Sequence, residues 1–199
     1  MTPKRRLGIL GGTFDPPHIG HLVTAVNVRY ELALDVVLLV VANEPWQKVG
    51  ARPVTPVQHR LAMVHAAAGG LDGVEVDDRE IRRGGPSYTS DTIEELAGPD
   101  RELFVILGSD AAAGLPTWHR VEVVEKLATV AIVHRPGRAV RAGDSGTSGV
   151  RVEHVDVPAL DVSSTDLRRR VAEGRPIDVL TPPGVAAYVR DHRLYGVSR

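Results

Sequence analysis

The 199-residue sequence contains no cysteine. Disulfides, iron–sulfur clusters and thiolate zinc sites are thereby excluded, and a reducing cytosol is a compatible compartment. No apolar segment reaches the roughly 20 residues that a bilayer-spanning helix needs. Lys4-Arg5-Arg6 precedes an apolar stretch too short for a secretory signal. Nor is there an excess of charge of one sign. Lys and Arg number 24 against 25 Asp and Glu, for a net charge of -1, and the arginines are scattered, so no basic footprint for nucleic acid is present. These absences lead to the expectation of a soluble, cytoplasmic protein with neither nucleic acid nor membrane as partner. Its length predicts a single domain, 1–199, that buries most of its apolar surface without staples.

What is there alternates. Leu7 to Leu10 reads as a buried strand ended by Gly11-Gly12, and Ile19, Leu22, Val23, Val26, Tyr30 and Ala33 recur at helical spacing. Val36 to Ala42 is a continuous apolar run rich in β-branched residues, the pattern of a strand covered on both faces. Further strands are predicted at 74–76, 103–107, 130–133 and 152–157. Helices are predicted at 56–68, 88–97, 121–127, 163–172 and 184–192. Strand and helix in alternation predict an α/β domain with a mostly parallel central sheet. The segment 136–149, rich in Gly, Ser and Arg, reads as a loop. No internal repeat is visible.

In such sheets ligands bind beyond the carboxyl ends of the strands. Gly11 to His21, Asn43 to Lys48, Gly108 to Asp110, Arg135 and Ser163 to Arg168 all follow predicted strands, so they are expected to converge on one edge. The first of these loops lacks the common nucleotide signatures. There is no G-x-x-x-x-G-K-[ST], and Gly8, Gly11 and Gly12 do not make G-x-G-x-x-G. It has instead a glycine turn, two prolines, and His18 and His21 at a helix start. Three residues apart, the imidazoles share a helix face. Gly20 between them leaves room for a ligand near the backbone, and the helix N-terminus offers N–H groups and partial positive charge. These groups together suit a polyphosphate. His-x-x-His could alternatively ligate a metal, but no third ligand is obvious nearby. Ser163-Ser164-Thr165-Asp166 reads by itself as a helix cap. His59, His65, His154 and His192 read as ordinary surface or partly packed residues.

Gly11-Gly12-Thr13-Phe14-Asp15-Pro16-Pro17-His18-Ile19-Gly20-His21 resembles the signature of the HxGH nucleotidyltransferases, and Val162-Ser163-Ser164-Thr165-Asp166-Leu167-Arg168 resembles their second signature. Ser87 to Thr92, Gly108-Ser109-Asp110 and Thr117-Trp118-His119-Arg120 extend the resemblance to the nicotinate mononucleotide adenylyltransferase family over essentially the whole chain. The resemblance implies a Rossmann-like three-layer fold with a carboxyl-terminal helical segment. It also implies transfer of AMP from ATP to nicotinate mononucleotide with Mg2+, giving nicotinate adenine dinucleotide and pyrophosphate in NAD biosynthesis. His18, His21, Lys48 and Arg168 would be catalytic. Gly11, Gly12, Thr13, Phe14, Gly108, Asp110, Ser163, Ser164 and Thr165 would join His18, His21 and Arg168 at ATP. Asn43, Lys48, Tyr88, Thr89, Asp110, Trp118 and Arg135 would meet the acceptor, and no protein metal site is expected, Mg2+ being held by the ATP phosphates.

Trp118 offers a flat face for the pyridine ring, or is a core tryptophan. One departure stands out. Where the family commonly has Pro-Pro-His-Lys, this chain has Glu44-Pro45-Trp46-Gln47-Lys48. The competing readings are a phosphopantetheine adenylyltransferase-like enzyme, a cytidylyltransferase and a nucleotide-sensing module without catalysis. Phosphopantetheine enzymes are shorter and lack the 87–89 and 118–119 segments. The sequence leaves open whether the chain forms a homo-oligomer.

Overall fold

The computed structural model describes residues 3–45, 53–134 and 149–196. Six strands form one sheet: β1 (Arg5–Gly12), β2 (Val36–Val41), β3 (Val74–Asp77), β4 (Arg101–Gly108), β5 (Ala128–His134) and β6 (Arg151–Asp156). Their order is β3-β2-β1-β4-β5-β6, and every adjacent pair is parallel. The sequence predicted a mostly parallel sheet; among the described strands it is wholly so. All six residues of β2 are buried, as expected of a strand with helices on both faces.

Eight α-helices accompany the sheet among the described residues: α1 (Ile19–Glu31), α2 (Val57–Ala68), α3 (Arg79–Arg83), α4 (Thr89–Leu96), α5 (Ser109–Ala113), α6 (Val121–Leu127), α7 (Ser164–Ala172) and α8 (Pro183–Asp191). The period-2 alternation of the strands divides the core. Leu7, Ile9, Val105 and Val130 face one way, towards Ile93 of α4 and Val124 of α6. Leu10, Val37, Phe104 and Ile106 face the other, towards Ala25 and Val28 of α1 and Val64 of α2. A third cluster joins Met63 of α2 to Leu167 of α7 and Val185 and Val189 of α8, so the carboxyl-terminal helices pack on the outside of α2.

The long elements fall where the apolar periodicity puts them. The sequence reading missed α3, α5 and a 3-10 turn at Leu115–Thr117, each of five residues or fewer. Such elements are shorter than the window that periodicity needs. The strand order reverses between β1 and β4, and their carboxyl ends open the crevice in which ligands of such sheets bind.

Candidate active site

The loop from Thr13 to His18 joins β1 to α1 and is almost entirely buried, Asp15 being 1% exposed. A buried loop carries backbone carbonyls that need donors, and distant side chains supply them. Arg60 of α2 donates through Nη1 to the carbonyls of Thr13 (3.0 Å) and Ala42 (2.6 Å), through Nη2 to Asn43 (2.9 Å) and through Nε to Thr55 (2.9 Å). One guanidinium thus ties the ends of β1 and β2 together. Burial lowers its pKa from the ordinary value, and Asp15 opposes that.

The carboxyl-terminal third holds the rest of the loop. Arg168 Nη1 donates to Asp15 O (2.7 Å), the Ser164 hydroxyl to Pro16 O (2.8 Å) and the Thr181 hydroxyl to Pro17 O (2.7 Å). The Tyr195 hydroxyl donates to Asp15 Oδ1 (2.8 Å).

His18 is the N-cap of α1, and its ring stacks on that of His21 at 3.7 Å between centroids. The His18 amide donates to His21 Nδ1 (3.1 Å). A nitrogen that accepts carries no proton, so the neutral His21 ring bears its N–H on Nε2, a donor for the cleft. Gly20 is needed there, because a Cβ would come 3.0 Å from His18 Nδ1.

Two cavities flank the tip of β1. The first, about 360 Å3, is lined by His18, His21, Gly108, Asp110 and Ser163 among others. The start of α1, α5 and α7 all border it, and each contributes positive helix-end potential. The second, about 190 Å3, lies on the α4 side and is lined by Gly11, Gly12, Thr13, Thr89, Glu80 and Trp118 among others. Ala111 lines both. Trp118 is half-buried, packed on the core, and its indole Nε1 is buried with no hydrogen-bond partner among the described residues.

The structure therefore brings together His18, His21, Gly108, Asp110 and Ser163 on one side and Gly11, Gly12, Thr13, Thr89 and Trp118 on the other. Several residues stand differently from their sequence assignment. Phe14, expected at ATP, is a core residue, 2% exposed, whose ring meets His21 edge-on at 5.0 Å. Its left-handed backbone turns the ring inward beneath Gly12, so it supports the imidazole from below.

The Ser163 hydroxyl accepts from Asp166 N (3.1 Å), the Ser164 hydroxyl is committed to Pro16, and Thr165 Oγ1 accepts from Arg168 Nη2 (3.1 Å). Two of these hydroxyls therefore brace α7 internally and the third holds the loop. Asn43 amide Nδ2 donates to Gly85 O (2.9 Å), and the Tyr88 ring lies against His119. Lys48 and Arg135 lie outside the described residues, as do Trp46 and Gln47 of the departing segment.

Arg60, Thr181, Tyr195 and Glu80 were missed. Arg60 had a signal: it falls on the apolar stripe through Val57, Leu61 and Val64, where a charge must be enclosed. The others had none.

The six parallel strands open a cleft at the switch point, bordered by two histidines and three helix starts, groups that suit a polyphosphate. A profile of the cytidylyltransferase-like family matches residues 9–170, and the chain belongs to that family. Within it, the chain belongs to the nicotinate-nucleotide adenylyltransferases. A relative from Roseiflexus sp. (strain RS-1), named "Probable nicotinate-nucleotide adenylyltransferase", is 45% identical over 95% of this chain and 97% of its own. A second of the same name, from Oceanobacillus iheyensis, is 39% identical over 98% and 99%. The fold matches that of Plasmodium falciparum nicotinic acid mononucleotide adenylyltransferase complexed with NaAD, with a TM-score of 0.77 at 18% identity, over 96% of this chain and 97% of that one.

Proposed function

We propose that the cleft performs adenylyl transfer from ATP to nicotinate mononucleotide, with the 360 Å3 cavity taking ATP and the 190 Å3 cavity the pyridine end of the acceptor. The observation that carries this reading is the pair of cavities meeting at Ala111, with donors on one side and a half-buried indole on the other. The family relationship supplies the substrates.

The acceptor phosphate is a monoester, ionised near neutral pH. It needs no strong base. Its oxygen attacks the α-phosphorus of ATP in line, and the bond to the bridging oxygen breaks as pyrophosphate leaves. The work of the protein is alignment of two polyanions and stabilisation of charge on the transferring group.

His21 Nε2–H and the His18 imidazole serve as donors to the phosphates. Lys48 and Arg168 add positive charge. The amides at the start of α7 serve the β- and γ-phosphates better than the committed serine hydroxyls do. Asp110 is a carboxylate bordering the cavity assigned to ATP. Mg2+ held by the ATP phosphates would supply charge neutralisation for the leaving pyrophosphate there. Thr89 opens α4, and amide donors there favour the nicotinate carboxylate, which only accepts, over an amide that also donates.

The test is incubation with ATP, Mg2+ and a panel of acceptors, followed by identification of the adenylylated product. Nicotinate mononucleotide should give nicotinate adenine dinucleotide and pyrophosphate, faster than its amide analogue. Binding of ATP without pyrophosphate release would make the protein a nucleotide sensor instead, and product from phosphopantetheine alone would move it to the sister branch.

A further inference from the structure

Glu80 is a buried carboxylate in the wall of the 190 Å3 cavity, 7% exposed, to which neither the reaction nor the family signatures give a role. The Thr92 hydroxyl donates to its Oε1 (2.7 Å), which ties α3 to the first turn of α4. Ser87, just before α4, accepts the amide of Asn43 (2.8 Å) from the segment after β2. These three elements surround the acceptor cavity, and Pro45, Ser87 and Thr89 line it.

We propose that Glu80 is a positioning residue for the acceptor: by accepting the Thr92 hydroxyl proton it holds the first turn of α4 against α3, and so fixes the width of the cavity. Ser87, at the head of the same helix, keeps the segment after β2 in register with it through the Asn43 amide.

Arg83 is the cation that faces Glu80 and Thr92, and it is shared with a second carboxylate. Arg83 Nη2 stands 4.0 Å from Glu80 while its Nη1 donates to Glu95 (2.7 Å), and Asp77 is engaged by Arg79 (2.6 Å). Burial pushes the Glu80 carboxyl above the usual carboxylate range, opposed by Thr92, Ser87 and Arg83. A buried carboxyl whose nearest cation stands at 4.0 Å is costly to desolvate, and its place in the cavity wall gives that cost a use.

The inference rests on the acceptor reading of this cavity. Its test is steady-state kinetics of the full chain with each substrate varied in turn. Glu80→Ala should raise KM for nicotinate mononucleotide by about tenfold, the equivalent of 1.4 kcal/mol, and leave KM for ATP within twofold. Glu80→Gln, which keeps one carbonyl acceptor, should recover most of that loss. Thr92→Val should shift the same KM in the same direction by less, and keeps the idea testable if Glu80→Ala does not fold.

Equal rises in both KM values, or an unchanged acceptor KM in folded variants, would overturn the proposal. Failure of the wild type to adenylylate nicotinate mononucleotide would instead remove the acceptor reading itself.

Discussion

At the scale of single residues, the site depends on where protons and rings are held. His21 presents Nε2–H because its other nitrogen is occupied by the His18 amide. Removing a preorganised donor of this kind costs about 10²–10³ in rate. His21→Ala should therefore lose about that much kcat. It also loses a helix-cap contact worth about 1 kcal/mol, so circular dichroism should still report a folded protein with a slightly lower Tm. Turnover near that of the wild type would remove His21 from the phosphate site.

Trp118 packs on the core and also lines the 190 Å3 cavity proposed for the acceptor, so both positions that the sequence presented as alternatives are open to it. Trp118→Ala should lower kcat/KM for nicotinate mononucleotide several-fold more than for ATP, as loss of stacking of about 0.5–1.5 kcal/mol requires. It should also lower Tm. A fall in Tm with the two substrates equally affected would leave only the packing role.

At the scale of elements, periodicity made the sheet legible and left the braces hidden. Strand β2 was readable because burial on both faces needs an unbroken apolar run. α3 and α5 were not, because five residues contain too few turns to show a stripe. The two signature loops were likewise readable from their glycines, histidines and serines, yet their division of labour was not. Phe14 turned inward and the Ser164 hydroxyl was spent on Pro16, because a buried loop must satisfy its carbonyls before it serves a ligand.

Arg60 shows the same priority. Arg60→Met keeps the bulk but leaves the carbonyls of Thr13, Ala42, Asn43 and Thr55 without this donor. Each such loss costs about 1–3 kcal/mol when the group is buried. Urea denaturation should show a loss of about 3 kcal/mol or more, accompanied by lower kcat because both strand tips shift. A loss below 1 kcal/mol would show that the guanidinium is dispensable to the frame.

At the scale of the whole molecule, the first loop is closed by residues far away in sequence, with partners 148, 153, 164 and 180 positions apart. Among the described residues no helix is long and apolar enough to cross a membrane. Tyr195 carries a pH signature of the arrangement. Burial first, and then the Asp15 carboxylate, pushes its ionisation well above the ordinary tyrosine value. The unfolded chain releases that proton near pH 10 and the native state keeps it. Its contribution is therefore complete below about pH 10 and declines as pH rises beyond that value. Tyr195→Phe should be less stable than the wild type by about 1–3 kcal/mol near neutral pH. The gap should narrow from about pH 10 upward in parallel urea titrations; a gap that stays constant would show that Tyr195 does not titrate differently in the two states.

The long reach of these braces has a consequence during synthesis. A ribosome that has released only the first 150 residues has exposed every glycine and histidine of the first signature, but not Ser164, Arg168, Thr181 or Tyr195. The nascent chain can pair β1 with β2 and β4, yet the carbonyls of Asp15, Pro16 and Pro17 still lack their donors. The first signature loop thus gains these braces only once the carboxyl-terminal third has emerged, and a truncated translation product holds the signature without the contacts that fix its geometry.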